Sequence, residues 1–167
     1  MKIGILALQG AFIEHFALLG KFDTETCAVR LPPHLKGIDG LIIPGGESTT
    51  MLNLLTSSGL LKPLKELATG GFPIWGICAG AICLAKSIIN SGHNFSPILN
   101  AMDIAVIRNA FGRQVDSFEK DIVIDTLDAK PFPAVFIRAP IISQALPTVD
   151  VLGRLDDGTI VAARQGN

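Results

Sequence analysis

Cys78 stands between two glycines in Ile74-Trp75-Gly76-Ile77-Cys78-Ala79-Gly80, the pattern G-x-C-x-G, where an apolar run gives way to a helical pattern. A thiol on such a strand-to-helix turn is a candidate nucleophile. Glycines allow the sharp bend and leave the sulfur clear of both strand and helix. Cys78 would also sit at a helix N-terminus, where exposed N–H groups and the helix dipole favour a thiolate. There the N–H of Ala79 can face a developing oxyanion. Taken alone, the pattern equally suits a small buried cysteine packed between glycines. Its position at the end of a strand, where open α/β sheets place their sites, favours the nucleophile. Cys27 and Cys83 have no glycine frame and read as core.

A second glycine-rich turn, Pro44-Gly45-Gly46-Glu47-Ser48-Thr49-Thr50, ends a neighbouring apolar run. It could present bare backbone N–H groups to the same site, and two such donors make an oxyanion hole. By spacing alone it is a strand-to-helix turn in which Ser48 or Thr49 caps the following helix.

The elements that must position these turns follow from hydrophobic period and punctuation. Residues 3–8 read as a strand, and residues 11–19 as a helix with Glu14 and His15 outward. Residues 26–31 and 40–43, each stopped by Pro or Gly, read as central parallel strands. Helices are predicted over 50–55 and 60–68, a strand over 72–77, and a helix over 79–89. Residues 90–97 carry turn chemistry. Beyond them, 104–107, 121–124, 134–137, 149–155 and 159–163 read as strands that could extend the sheet. The alternation in the first ninety residues predicts a single α/β domain over 1–167. Its architecture would be three-layer and flavodoxin-like, a mostly parallel open sheet flanked by helices with right-handed crossovers.

Composition narrows the classes of function. Hydrophobic residues make up 49% of the 167 and charged residues 17%, which suits a sheet buried on both faces. Fourteen basic against fifteen acidic residues leave a net charge of −1 without a Lys/Arg run, so no nucleic acid partner is expected. Nothing approaches the roughly 20 apolar residues of a membrane span. The start reads straight into a strand without a leader, which points to the cytoplasm. The three cysteines form no CxxC pair and sit without clustered histidines, so neither metal nor disulfide is expected.

Five segments together are more specific than any one of them. They are Leu8-Gln9-Gly10-Ala11 with Glu14-His15, Pro44 through Thr50, Gly76 through Gly80, Arg108 through Phe118, and Phe136-Ile137-Arg138-Ala139-Pro140. With them the chain resembles, along nearly its whole length, the glutaminase subunits of pyridoxal 5′-phosphate synthase, a family of class I glutamine amidotransferases. The resemblance implies that Cys78 attacks the side-chain amide of L-glutamine and that the N–H groups of Gly46 and Ala79 form the oxyanion hole. It implies that Gly46, Glu47 and Ser48, with Arg108, Ile137 and Arg138, hold the glutamine, and that Gln9 lies near the oxyanion hole. The implied partner is a (β/α)₈-barrel synthase subunit that uses the ammonia, docking at a face that includes Glu14 and His15. No cofactor is implied, since pyridoxal 5′-phosphate is the product of the complex.

The family's base is the histidine of a His-x-Glu pair shortly after its last core strand. The sequence given reaches Asn167 just upstream of that position. None of His15, His34 and His93 matches it. Either the protein carries a tail past Asn167, which the exposure of apolar core in a shortened domain favours, or the chain is a catalytically impaired binding subunit. A cysteine hydrolase or chaperone-like protein sharing the elbow is a further alternative.

Overall fold

The computed structural model describes residues 1–89, 96–108, 110, 117–124, 126–127 and 130–166. They fall into two compact units, Met1–Leu84 with Ile98–Ala101, and Ala85–Pro97 with Met102–Asn167.

In the first unit β1 (Lys2–Leu6), β2 (Glu25–Val29), β3 (Gly40–Ile43) and β4 (Ile74–Gly76) form a four-stranded sheet in the order β2-β1-β3-β4, parallel throughout. All four residues of β3 are buried, as an apolar strand flanked on both sides requires. The second strand, expected to be central, is instead the edge. Only Val29 of β2 is fully buried, and Cys27 is half-buried rather than core. Helices α1 (Phe12–Leu19), α2 (Ser48–Ser57), α3 (Leu61–Thr69) and α4 (Ala79–Leu84) connect and flank these strands. Met51, Leu55 and Leu64 contribute fully buried side chains from the helices. The order 2-1-3-4 reverses direction between β1 and β3. Doubly wound sheets hold ligands at such a switch point, outside the C-terminal ends of the strands. The turns after β1, β3 and β4 carry Gln9-Gly10, Gly45-Gly46-Glu47 and Cys78 respectively.

The helix expected over 79–89 stops at Leu84. The next five residues form β5 (Ala85–Ile89), which pairs in parallel with β6 (Met102–Ile107). Ser87-Ile88-Ile89 suits a strand better than a helix, because β-branched side chains lose rotamer freedom against a preceding helical turn. In the first unit the N–H groups of Leu99 and Ala101 bond to the carbonyls of Cys83 and Leu84, at 2.8 and 2.9 Å. The last turn of α4 is therefore satisfied without continuing the helix.

The second unit holds a mixed sheet in the order β10-β11-β9-β6-β5, completed by β9 (Ile141–Ala145), β10 (Asp150–Arg154) and β11 (Ile160–Arg164). β7 (Phe118–Ile122) and β8 (Phe132–Phe136) form a separate antiparallel pair, with the Phe118 and Phe136 rings stacked at 4.9 Å. The strands expected to extend the first sheet thus pair among themselves, and β9 is a strand the sequence did not announce. One polar node fastens this sheet. The Asp103 carboxylate of β6 accepts from Lys86 of β5, and from Thr148 Oγ1 and Gln165 Nε2, both at 2.7 Å. The Asp103 N–H donates in turn to Gln165 Oε1 at 2.6 Å.

These donors, Lys86 foremost, hold the Asp103 carboxyl at about 2, against its ordinary 3.8. A carboxyl depressed in the folded state adds stability that is complete above 3.8 and is lost as the pH falls toward about 2. Asp103→Asn is therefore expected to flatten the fall in melting temperature across that window, read from thermal unfolding as a function of pH.

Candidate active site

Cys78 has φ 52, a left-handed conformation that a side-chain-bearing residue adopts only under constraint. The constraint is steric. A Cβ on Gly80 would stand 2.2 Å from the carbonyl oxygen of Ile43, and one on Gly76 would stand 2.5 Å from the carbonyl of Gly80. Both elbow glycines are thus required by the close approach of β3, β4 and α4. The N–H of Ile77 also bonds to the Ile43 carbonyl at 3.0 Å, fixing the turn against its neighbouring strand.

The backbone N–H groups of Ala79 and Gly46 lie beside the Cys78 thiol, closely enough to lower its pKa. The β3 turn and the elbow therefore meet, with the Cys78 Cβ 3.4 Å from where a Cβ on Gly45 would lie. The two donors lower the thiol's pKa, but burial acts more strongly in the opposite direction and leaves it above the ordinary 9.0. Burial thus opposes the thiolate that the helix N-terminus favours. α4 is only six residues long, and desolvation of a buried thiolate outweighs its end and the two N–H groups. Burial alone raises Cys83 further, to about 12, as suits a core cysteine.

The orientation of the Gly46 N–H is set from the β1 turn. Ala11 N–H donates to the Gly45 carbonyl at 3.1 Å. The Gly45 carbonyl and the Gly46 N–H belong to one trans peptide unit and point in opposite directions. Holding the carbonyl on Ala11 therefore aims the N–H the other way, toward Cys78. Gly10 makes this approach possible. Its φ is +83, and a Cβ there would stand 1.9 Å from the Gly45 oxygen. On the next peptide, Gln9 Oε1 accepts the Glu47 N–H at 3.2 Å.

Ser48 and Thr49 do not cap α2. Its N-cap is Glu47, whose Oε1 accepts the Thr49 N–H at 3.0 Å and whose Oε2 accepts the Thr50 N–H at 2.7 Å and the Thr50 hydroxyl at 2.9 Å. Burial raises the Glu47 carboxyl, but the Thr49 and Thr50 donors together bring it down to about 2. Sequence reasoning missed this cap because glutamate is not a usual N-cap residue. Ser48 lies inside the first turn of α2 and is buried.

Gln9, Gly46, Glu47, Ser48, Cys78 and Ala79 thus gather in the first unit. Arg108, Ile137 and Arg138 belong to the second. Arg108 follows β6 directly, and Ile137 and Arg138 follow β8, with Arg138 exposed and in the left-handed region at φ 48. Of the histidines, His15 sits on α1 with its ring edge-on to Trp75 at 6.3 Å. His34 Nδ1 accepts the N–H groups of Arg30 and Leu31, both at 3.2 Å. His93, Asn109 and 111–116 of the arginine motif lie outside the described residues.

Known proteins resemble this chain in sequence and in fold. The pyridoxal 5′-phosphate synthase subunit PdxT of Dehalococcoides mccartyi is 53% identical over 167 residues, an alignment spanning all of this chain and 85% of that protein. The subunit of the same name from Herpetosiphon aurantiacus is 54% identical over 166 residues, spanning 99% of this chain and 87% of that one. A crystal structure described as a glutamine amidotransferase superposes with a TM-score of 0.88 at 43% identity, covering 98% of this chain and 85% of the other. The pattern of the SNO glutamine amidotransferase family matches residues 5–167. The chain belongs to the SNO glutamine amidotransferase family.

Proposed function

We propose that this chain is the glutaminase subunit of a pyridoxal 5′-phosphate synthase. It would hydrolyse L-glutamine to glutamate and pass the ammonia to a (β/α)₈-barrel synthase subunit. The observation that carries this function is the left-handed elbow cysteine set against the Gly45-Gly46 turn, with the Gly46 and Ala79 N–H groups beside its thiol. A nucleophile and two oxyanion donors are the minimum for acyl transfer from an amide. The names of the relatives from Dehalococcoides mccartyi and Herpetosiphon aurantiacus support the pathway and the partner.

Cys78 Sγ attacks the side-chain carbonyl carbon of glutamine, and the oxygen takes up negative charge between the two N–H groups. Collapse of the tetrahedral intermediate breaks the carbon–nitrogen bond and expels ammonia, leaving a γ-glutamyl thioester that water hydrolyses. Burial pushes the thiol's pKa up, so a base must take its proton for the carbon–sulfur bond to form. In this reading the family's His-x-Glu pair would supply that base. Gly46, Glu47 and Ser48 would hold the substrate together with Ile137 and with Arg108 and Arg138, whose guanidinium forks suit the α-carboxylate. Gln9 supports the oxyanion turn through the Glu47 N–H.

No cofactor enters the cycle, and pyridoxal 5′-phosphate is the product of the complex. The docking face would include Glu14 and His15 of α1. Support comes from the exposure of Ile13 and Leu18 on that helix and of Trp75 beside His15, at 67%, 49% and 60%. No helix among the described residues is long and apolar enough to cross a membrane. The unpaired Cys27, Cys78 and Cys83 fit a reducing cytoplasm. The test is release of glutamate and ammonia from L-glutamine by the full-length protein mixed with its synthase subunit. Equal amounts of both are expected, and a complex that releases neither overturns the function.

A further inference from the structure

Two adjacent glycines are the least restrained backbone available, so a donor held between them must be aimed by its neighbours. On the N-terminal side the Ala11 N–H fixes the Gly45 carbonyl. On the C-terminal side the chain is fixed by Glu47, whose N–H is held by Gln9 Oε1 and whose carboxylate grips the first turn of α2. We infer that Glu47 is a positioning residue: by capping α2 it aims the Gly46 N–H at the reacting sulfur, and its carboxylate does not bind the α-amino group of the substrate. The inference rests on the proposed glutaminase function and changes how Glu47 takes part in it. Its contribution to glutamine binding would come from the main chain.

The geometry separates the two roles. Oε1 accepts Thr49 N–H, and Oε2 accepts both the N–H and the hydroxyl of Thr50. Three donors already fix the carboxylate on the first turn of α2, and swinging it away to meet an ammonium group would release them and leave that turn uncapped. A short N-cap residue can satisfy the same N–H groups without a charge, as asparagine does at helix starts generally. Neutral capping and charge can therefore be separated by substitution.

The experiment compares Glu47→Asn and Glu47→Ala with the unaltered protein, each full-length and in complex with the synthase subunit, by steady-state glutamate release well below the melting temperature. Glu47→Ala is expected to lower kcat by about 10²-fold, the cost of a catalytic group misplaced by about 1 Å, with little change in KM. Glu47→Asn is expected to restore most of kcat, again with little change in KM. A rise in KM of about 10²-fold in Glu47→Asn would mark the carboxylate as a direct ligand and overturn the inference. So would an unchanged kcat in Glu47→Ala. An inactive unaltered complex would instead overturn the glutaminase function itself.

Discussion

Replacing Cys78 with alanine in the full-length protein is expected to abolish glutamine hydrolysis in the synthase complex. The loss in kcat should be on the order of 10⁶-fold, the scale found when the nucleophile of a hydrolase is removed. The fold should survive, because alanine keeps the Cβ and the elbow is set by contacts of Gly76 and Gly80 rather than by the sulfur. The variant should therefore remain folded and still dock on its partner while releasing no glutamate. The other cysteines cannot substitute. Cys83 is fully buried, with its thiol pushed up to about 12, and Cys27 lies on the edge strand β2, away from the turns that carry the donors. Glutamate release by Cys78→Ala at the unaltered rate would refute the nucleophile.

Gly10→Ala should also cost activity, by far less than loss of the nucleophile, although residue 10 touches no substrate. The new methyl would stand 1.9 Å from the Gly45 oxygen, on a backbone at φ +83 that alanine tolerates poorly. The β1 turn must then move away, and the Ala11 N–H loses the Gly45 carbonyl. Once that carbonyl is released, the Gly45–Gly46 peptide can rotate and turn its N–H off the Cys78 sulfur. In the reversed orientation a carbonyl oxygen would face the developing oxyanion and repel it. The expected loss is one oxyanion donor, about 10²- to 10³-fold in kcat. KM should change far less, since the donor acts mainly on charge that develops in the transition state. Steady-state glutamate release by the complex measures both constants. A kcat within a few-fold of the unaltered protein would show that the β1 turn does not set the donor.

What the sequence made legible were the features that a few adjacent residues determine. The G-x-C-x-G spacing identified the elbow, because only glycine tolerates the approach of Ile43 to Gly80 and of Gly80 to Gly76. Gly40–Ile43 was readable to the residue, since a short apolar strand closed by Pro-Gly-Gly admits little else. The end of α4 was not readable. Residues 79–89 are apolar enough to fit either period, and it is pairing with β6 that makes 85–89 a strand. β9 escaped for a related reason. Ile-Ile-Ser-Gln-Ala is too short to show an alternation, and its register with β6 is a tertiary fact. In the site, the Cys78 position and the Gly-Gly turn were visible, whereas the Ala11 to Gly45 bond joins residues 34 positions apart and leaves no local signature. The environment of the thiol was only half legible for a similar cause. A helix start can be seen in sequence, but the burial that outweighs it cannot.

The most direct measurement is covalent trapping. The full-length protein, in complex with its synthase subunit, is treated with the glutamine-derived electrophile 6-diazo-5-oxo-L-norleucine, and the modified peptides are mapped by mass spectrometry. Stoichiometric modification of Cys78 with loss of glutaminase activity is the expected result. Modification of Cys27 or Cys83 in place of Cys78, or inactivation that leaves Cys78 unmodified, would contradict Cys78 as the residue that takes the glutamyl group.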